Sequence, residues 1–259
     1  MTYFCNHNMR ISIVQNAPQK GDWKQNLADL DNLIGGGCGA DIYVLPEMFA
    51  TGQYIDPSQV VQTMDGPIAN WLQDKASELN AAVCGTLPVA DNGKIYNRFC
   101  FAMPDGDLAY YDKHHLFTYS GEAEHFSRGD KRVVINFRGL RILLLICYDL
   151  RFPTFSRNRD DYDAVMYPAN WPDKRILAWD TLLRARAIEN QCFAIGVNRG
   201  GSDELGDYPG HSAVISPYGE TLVQTDEMPQ MVSTTLDLEQ LARFRSKFPV
   251  LQDADPHEF

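Results

Sequence analysis

Apolar segments of strand length and apolar segments of helical period alternate from one end of this chain to the other, with no linker-like or low-complexity stretch between them. That alternation restricts the fold to the α/β class. Residues 10–15 read as a strand, and Trp23, Leu27, Leu30 and Ile34 then fall on one helical face. A glycine cluster at 35–39 ends this helix before the apolar run 42–45. Because the cluster follows a helix instead of opening one after a strand, it is not expected to cradle phosphate. Ile68, Trp71, Leu72, Ala76 and Leu79 predict a second helix, and strands are expected over 81–87, 95–103, 108–112, 132–137 and 141–147, the last ending at Cys147. A short helix near 154–159, a strand over 164–167, a long helix over 174–191, strands near 193–197, 212–216 and 221–224, and a helix near 238–244 complete the chain.

A faint internal repeat organises these elements. Asp41-Ile-Tyr-Val-Leu-Pro-Glu-Met-Phe49 resembles Asp163-Ala-Val-Met-Tyr-Pro-Ala-Asn-Trp171, and Phe101-Ala-Met-Pro-Asp-Gly106 resembles Val214-Ile-Ser-Pro-Tyr-Gly219. Each half then holds a strand ending near Pro, a helix, a strand and a hairpin. Two such halves predict a single-domain α-β-β-α four-layer sandwich, with two mixed sheets face to face and helices outside. The domain is expected over 10–246, with an N-terminal extension at 1–9 and a C-terminal tail at 247–259 that is a candidate dimer contact.

Charge narrows the partners. Lys and Arg number 23 against 34 Asp and Glu, for a net charge of −11, and basic residues never run longer than pairs such as Lys131-Arg132. A nucleic-acid ligand needs a basic face, so a small-molecule substrate is expected instead. No apolar run approaches the roughly 18 residues of a membrane helix, and the first ten residues lack the basic-then-apolar order of a signal peptide. No membrane partner and a cytoplasmic location are expected. The cysteines at 5, 38, 84, 100, 147 and 192 stand at least 16 residues apart, which excludes Cys-x-x-Cys redox or zinc spacing. No metal and no cofactor are expected.

Three polar residues follow apolar strands, where side chains emerge at a sheet edge: Glu47, Lys113 and Cys147. Their settings are Leu45-Pro-Glu47-Met-Phe, Tyr111-Asp-Lys113-His-His-Leu-Phe117 and Leu145-Ile-Cys147-Tyr-Asp-Leu-Arg-Phe-Pro153. In this order they resemble the nitrilase, or carbon–nitrogen hydrolase, superfamily. The resemblance continues through Tyr167-Pro-Ala-Asn-Trp-Pro172, Arg184-Ala-Arg-Ala-Ile-Glu-Asn-Gln191, Asn198-Arg199, Gly210-His-Ser212 and Pro217-Tyr-Gly219, and the combination is most similar to the bacterial omega-amidase branch.

The resemblance implies a metal-free amidase. Cys147 would attack the amide carbon, Glu47 would carry the proton to departing ammonia, and Lys113 would support the oxyanion before water cleaves a thioester. The Tyr148 backbone N–H would be a second oxyanion donor. A second glutamate that orients the lysine is expected at Glu122, with Glu124 as the other candidate. The branch implies the terminal amide of a short 2-oxo dicarboxylic acid monoamide, such as 2-oxoglutaramate or 2-oxosuccinamate, as substrate. Arg175 would pair with its distal carboxylate, and Phe49 and Trp171 would wall the pocket. An N-carbamoyl amino acid or ureido hydrolase is the alternative within the superfamily, and a catalytically silent binding protein the alternative of another class. Lys113 is expected to favour the Cys147 thiolate. Asp149 and Arg151 are expected to hold the turn as an ion pair or through backbone bonds, and His114 and His115 to point apart. A homodimer is implied by the family.

Overall fold

In the computed structural model, residues 8–53 and 56–255 are described. The first half runs β1 (Asn8–Gln15), α1 (Trp23–Ile34), β2 (Ile42–Val44), α2 (Pro67–Leu79), β3 (Ala82–Asp91), β4 (Lys94–Ala102), β5 (Leu108–Asp112) and the short α3 (Glu122–His125). The second half runs β6 (Val133–Phe137), β7 (Leu140–Leu144), the short α4 (Pro153–Ser156), β8 (Ala164–Ala169), α5 (Ile176–Glu189), β9 (Phe193–Asn198), β10 (Gly200–Asp203), β11 (Gly206–Pro209), β12 (Ala213–Ile215), β13 (Thr221–Gln224), β14 (Gln230–Asp237) and α6 (Leu238–Lys247).

Local chemistry sets several boundaries. The Asp22 carboxylate accepts from Gln25 N and caps α1, which stops where Gly35 adopts φ 55°. Pro67 opens α2, where its missing N–H costs nothing, and Asn80 closes it in the left-handed region.

Two six-stranded sheets result, ordered β14-β1-β2-β3-β4-β5 and β13-β12-β9-β8-β7-β6. The parallel cores β1-β2-β3 and β7-β8-β9 correspond, and each continues into antiparallel strands, β4-β5 in one sheet and β12-β13 in the other. The repeat read in the sequence is therefore a repeat of structure. The sheets are not built from separate halves, however: β14 returns from the end of the chain to pair antiparallel with β1 over its whole length, Asn8 with Asp237 through Gln15 with Gln230.

Strand alternation assigns faces. Ile42, Val44, Ala82 and Cys84 pack with Ile142, Leu144, Ala164 and Met166 between the sheets, whereas Tyr43, Leu45, Ala81 and Val83 face Leu27, Leu30, Ile68 and Leu72 of α1 and α2. Both faces of the central strands are covered, which is why they are almost uniformly apolar. The α-β-β-α sandwich expected from the sequence is the fold observed.

Several local expectations need correction. Strand β7 stops at Leu144, and Cys147 opens a 3-10 turn, Cys147–Arg151, instead of ending the strand. The strand β14 and the hairpin β10-β11 were not expected at all: β14 is an edge strand whose residues are mostly half-buried, and Gly200-Gly201 and Gly206 give the hairpin the composition of a loop. On α5, Ile188 is 50% exposed. No helix among the described residues is long and apolar enough to cross a membrane.

Candidate active site

The chemistry-bearing residues gather where strands of both sheets end. Glu47 lies just beyond β2, Lys113 just beyond β5, Cys147 beyond β7 and Asn170 beyond β8. Side chains leaving parallel strands at their carboxyl ends converge on a common crevice, the usual ligand position of an α/β sheet. Here it is a cleft of about 460 Å³ lined by Glu47, Lys113, Glu122, Cys147, Tyr148, Arg151, Asn170, Trp171, Arg175 and Tyr208, among others.

Glu47 is 3% exposed. Its Oε1 accepts from Lys113 Nζ at 2.9 Å and Asn97 Nδ2 at 2.7 Å, and its Oε2 accepts from Asn170 N at 2.9 Å. The turn behind it is held by Met48, which has φ 53° and donates its N–H to Thr86 Oγ1. Lys113 also donates to both oxygens of Glu122 at 3.0 Å, and Glu122 Oε2 accepts from Phe117 N at 2.6 Å. Glu124, the other candidate for a second glutamate, is exposed.

Cys147 has φ 41°, a conformation that costs a side-chain-bearing residue energy and persists only where its surroundings enforce it. Asp149 supplies that enforcement. Fully buried, it accepts from Ile146 N at 3.0 Å, His115 N at 2.9 Å, His115 Nδ1 at 2.8 Å and Tyr111 Oη at 2.8 Å. One carboxylate thus ties the cysteine turn to the segment that carries Lys113. Of the two expected ways of holding the turn, Asp149 uses backbone bonds, from Ile146 N and His115 N, and not an ion pair with Arg151. Arg151 instead lies over the Trp171 ring at 4.9 Å and lines the cleft. His114 and His115 turn to different partners: their rings meet edge to face at 4.6 Å, the His114 ring stacks on Phe155 with Nδ1 at Gly129 O, and the His115 ring stacks on Phe152 with Nδ1 at Asp149.

Burial pushes the Cys147 thiol well above its ordinary range, and the Glu47 carboxylate pushes in the same direction; Lys113 pulls it down without reversing the result. Lys113 therefore favours the thiolate in the expected direction, but burial and Glu47 outweigh it. Burial opposes the charge on Lys113, but the facing carboxylates of Glu122 and Glu47 outweigh it and hold the ammonium well above its usual range. Burial thus favours the neutral Cys147 thiol, while Lys113 is held as an ammonium.

Other expected residues fall differently. Trp171 lines the cleft, 3% exposed, and its Nε1 donates to Arg175 O at 2.8 Å, fixing the 3-10 turn Asp173–Arg175. Arg175 reaches the cleft with its guanidinium 5.3 Å from the Phe117 ring centre. Tyr148 follows Cys147 on its turn and contacts Phe117 at 4.9 Å between ring centres. Phe49 is a correction: it is fully buried under the helices, 5.9 Å from the Trp71 ring and against Gly85, and does not reach the cleft. It leaves the left-handed turn at Met48 toward the outer face of its sheet, whereas Glu47 leaves toward the cleft.

Asn97, Asn170, Arg151 and Tyr208 were missed as site residues. The position of Asn170 at the end of the strand that repeats β2 was the available signal. Asn97 lies within β4 and carries no local mark.

Residues 10–246 match the carbon-nitrogen hydrolase family. The chain is 41% identical over 249 residues to the omega-amidase YafV of Escherichia coli strain K12, covering 95% of this chain and 97% of that protein. It is 34% identical to the 2-oxoglutaramate amidase of Bacillus subtilis over 219 residues, 83% of this chain and 85% of that one. Among solved structures, a CN-hydrolase superfamily protein of Xanthomonas campestris with an arsenic adduct in its active site superposes with a TM-score of 0.93 at 40% identity, covering 98% and 99% of the two chains. A Saccharomyces cerevisiae member of branch 10 of the nitrilase superfamily gives a TM-score of 0.84 at 26% identity, covering 94% and 95%.

Proposed function

The chain belongs to the carbon–nitrogen hydrolase family, and on that premise we propose that it hydrolyses the terminal amide of short 2-oxo dicarboxylic acid monoamides, releasing ammonia. The observation that carries this reading is the contact of Glu47 with Lys113 beside Cys147, at the base of a cleft whose wall presents two guanidiniums, Arg151 and Arg175. Neither guanidinium is paired with a carboxylate among the described residues. A substrate with a distal carboxylate supplies the missing anion, and a fork of donors suits it. The names of the E. coli and B. subtilis relatives support the same substrate class.

In this mechanism Glu47 takes the Cys147 proton as sulfur attacks the amide carbon, and Lys113 with the Tyr148 N–H stabilises the oxyanion. Glu47 then returns the proton to the departing amine, leaving a thioester. Water attacks the thioester with Glu47 again accepting the proton, and the acid leaves as sulfur is reprotonated. Glu122 holds the Lys113 ammonium in position through both oxygens.

The test is ammonia release from 2-oxoglutaramate by wild-type and Cys147→Ser protein, with glutamine and an N-carbamoyl amino acid in parallel. Release from the oxo amide alone, abolished by the substitution, is expected; preference for the N-carbamoyl substrate would overturn the substrate assignment. We further propose a homodimer, supported by the exposed apolar residues Ile188, Tyr218 and Phe248, the last on the segment after α6, with Tyr218 and Phe248 both against Phe244. A monomer in light scattering at micromolar concentration would refute it.

A further inference from the structure

Next to the reaction cleft lies a second and much smaller cavity of about 10 Å³, bounded by Glu47, Gln53, Asn97, Ser120, Glu122 and Asn170, among others, and not by Cys147. It shares Glu47, Gln53, Ser120, Glu122 and Asn170 with the reaction cleft, whereas Cys147 and Lys113 line only the cleft. Its volume suits a single non-hydrogen atom with its hydrogens, about one water molecule. Its walls contain the polar atoms such a molecule needs. Asn97 is 1% exposed and Asn170 6% exposed. Asn97 Oδ1, Asn170 Oδ1 and Asn170 Nδ2 form no hydrogen bond with any described protein group. Buried polar groups without protein partners at a functional site are the usual mark of a bound water.

The orientation of Asn97 is fixed, because its Nδ2 donates to Glu47 Oε1 at 2.7 Å and to Glu122 Oε1 at 3.2 Å. Its oxygen is therefore the atom left to accept. Asn170 is fixed through its backbone, whose N–H donates to Glu47 Oε2 at 2.9 Å, leaving the whole side-chain amide free for another use. The molecule these atoms ask for must donate to Asn97 Oδ1 and to Asn170 Oδ1, accept from Asn170 Nδ2, and be no larger than one heavy atom. Water and ammonia both meet that description, and the proposed reaction exchanges one for the other beside Glu47.

We propose that this cavity is a holding site for the water that hydrolyses the thioester, with the Asn170 side chain as its positioning group. The proposal rests on the reading of Cys147 as nucleophile. When ammonia leaves, the held water passes the shared wall that includes Glu47 and Asn170, and its oxygen bonds to the thioester carbon. Glu47 takes one proton, the carbon–sulfur bond breaks, and that proton goes to sulfur, so that acid and free thiol are the products. The site would give water an advantage over bulkier nucleophiles that enter through the open cleft.

The test separates the two half-reactions. Asn170→Leu removes both amide atoms while keeping the backbone N–H that holds Glu47. Quenched-flow ammonia measurement on 2-oxoglutaramate reports acylation, and intact mass of the protein reports the acyl adduct on Cys147. The expected result is an ammonia burst of about one per active site at a near wild-type rate, followed by turnover at least 10-fold slower with accumulated thioester. Hydroxylamine, too large for the cavity, is expected to accelerate the variant more than the wild type. Asn170→Ser, which keeps a hydroxyl able to hold water, should recover part of the hydrolysis rate and serves equally if the leucine variant fails to fold. Unchanged turnover without adduct in either variant would overturn the proposal. A slowed burst or a raised KM with no adduct would also overturn it, assigning Asn170 to ammonia exit or to the amide substrate. Failure of the wild type to release ammonia, or release that persists in Cys147→Ser, would instead overturn the catalytic reading.

Discussion

Replacing Glu122 by Gln tests whether the second carboxylate is part of the catalytic apparatus. Its oxygens accept from Lys113 Nζ at 3.0 Å on each side, from Phe117 N at 2.6 Å and from Asn97 Nδ2 at 3.2 Å. Glutamine keeps one acceptor oxygen. If that oxygen stays with Lys113 and Asn97, the new NH2 group faces the Phe117 N–H, donor against donor. Losing a hydrogen bond to a charged acceptor at this 12%-exposed side chain costs about 2–3 kcal/mol. At roughly 2–4 °C per kcal/mol for a chain of this size, the melting temperature should fall by about 4–12 °C. Activity should fall further than stability alone explains. Glu122 is the foremost of the charges that hold the Lys113 ammonium above its usual range, and a loosened ammonium stabilises an oxyanion less well. A kcat lowered about 10–100-fold with little change in KM is expected, in the range that misplacement of a catalytic group produces. Differential scanning calorimetry and steady-state ammonia release measure the two effects. Glu124→Gln, at an exposed position, should alter stability by no more than about 0.5 kcal/mol. Full activity in Glu122→Gln, or an equal loss in Glu124→Gln, would refute the assignment.

Three further outcomes are expected. Phe49→Ala should cost about 3–5 kcal/mol in denaturant unfolding, as a large core truncation does, with KM unchanged in the folded fraction, since the ring packs on Trp71 away from the cleft; a raised KM would restore Phe49 to the pocket wall. Gly196→Ala would set a Cβ 2.6 Å from Trp179 Cζ2 and 2.7 Å from Leu183 Cδ2, and the overpacking should cost about 1–3 kcal/mol in the same assay, an unchanged midpoint contradicting the packing of α5 on β9. The last concerns alkaline pH, where Cys100 and Cys192 are each pushed up to about 12 by burial. The unfolded thiols release protons from about pH 8.5 while the folded ones stay protonated, so stability is complete below that pH and is lost as pH rises toward 12. Two thiols over the interval from about pH 8.5 to 10 account for about 3 kcal/mol. The fall in melting temperature over that interval should shrink in the Cys100→Ala, Cys192→Ala double variant, and an undiminished fall would assign the alkaline lability to other groups.

What the sequence alone determined was whatever short-range pattern encodes. Buried strands such as β8 and β9 reveal themselves by unbroken apolar composition, helices α1 and α2 by their stripes, and the repeat of strand-Pro segments by direct likeness. Glu47, Lys113 and Cys147 could be placed beside strand ends and were singled out by the family resemblance of their motifs, which also pointed to Glu122 with Glu124 left open. Tertiary structure decided the rest. Edge strand β14, mostly half-buried, declares itself only by pairing with β1, and its partners are separated by more than two hundred residues. Asn97 meets Glu47 across 50 residues and Asn170 meets it across 123, distances over which no periodicity carries information. The opposed directions of Glu47 and Phe49 depend on the left-handed turn at Met48 between them, and the thiol state of Cys147 depends on burial and on a carboxylate from the other sheet. Local propensity and hydrophobic period act through neighbours in sequence, whereas desolvation, charge coupling and the closing of a cleft act through space and exist only once the sheets have packed.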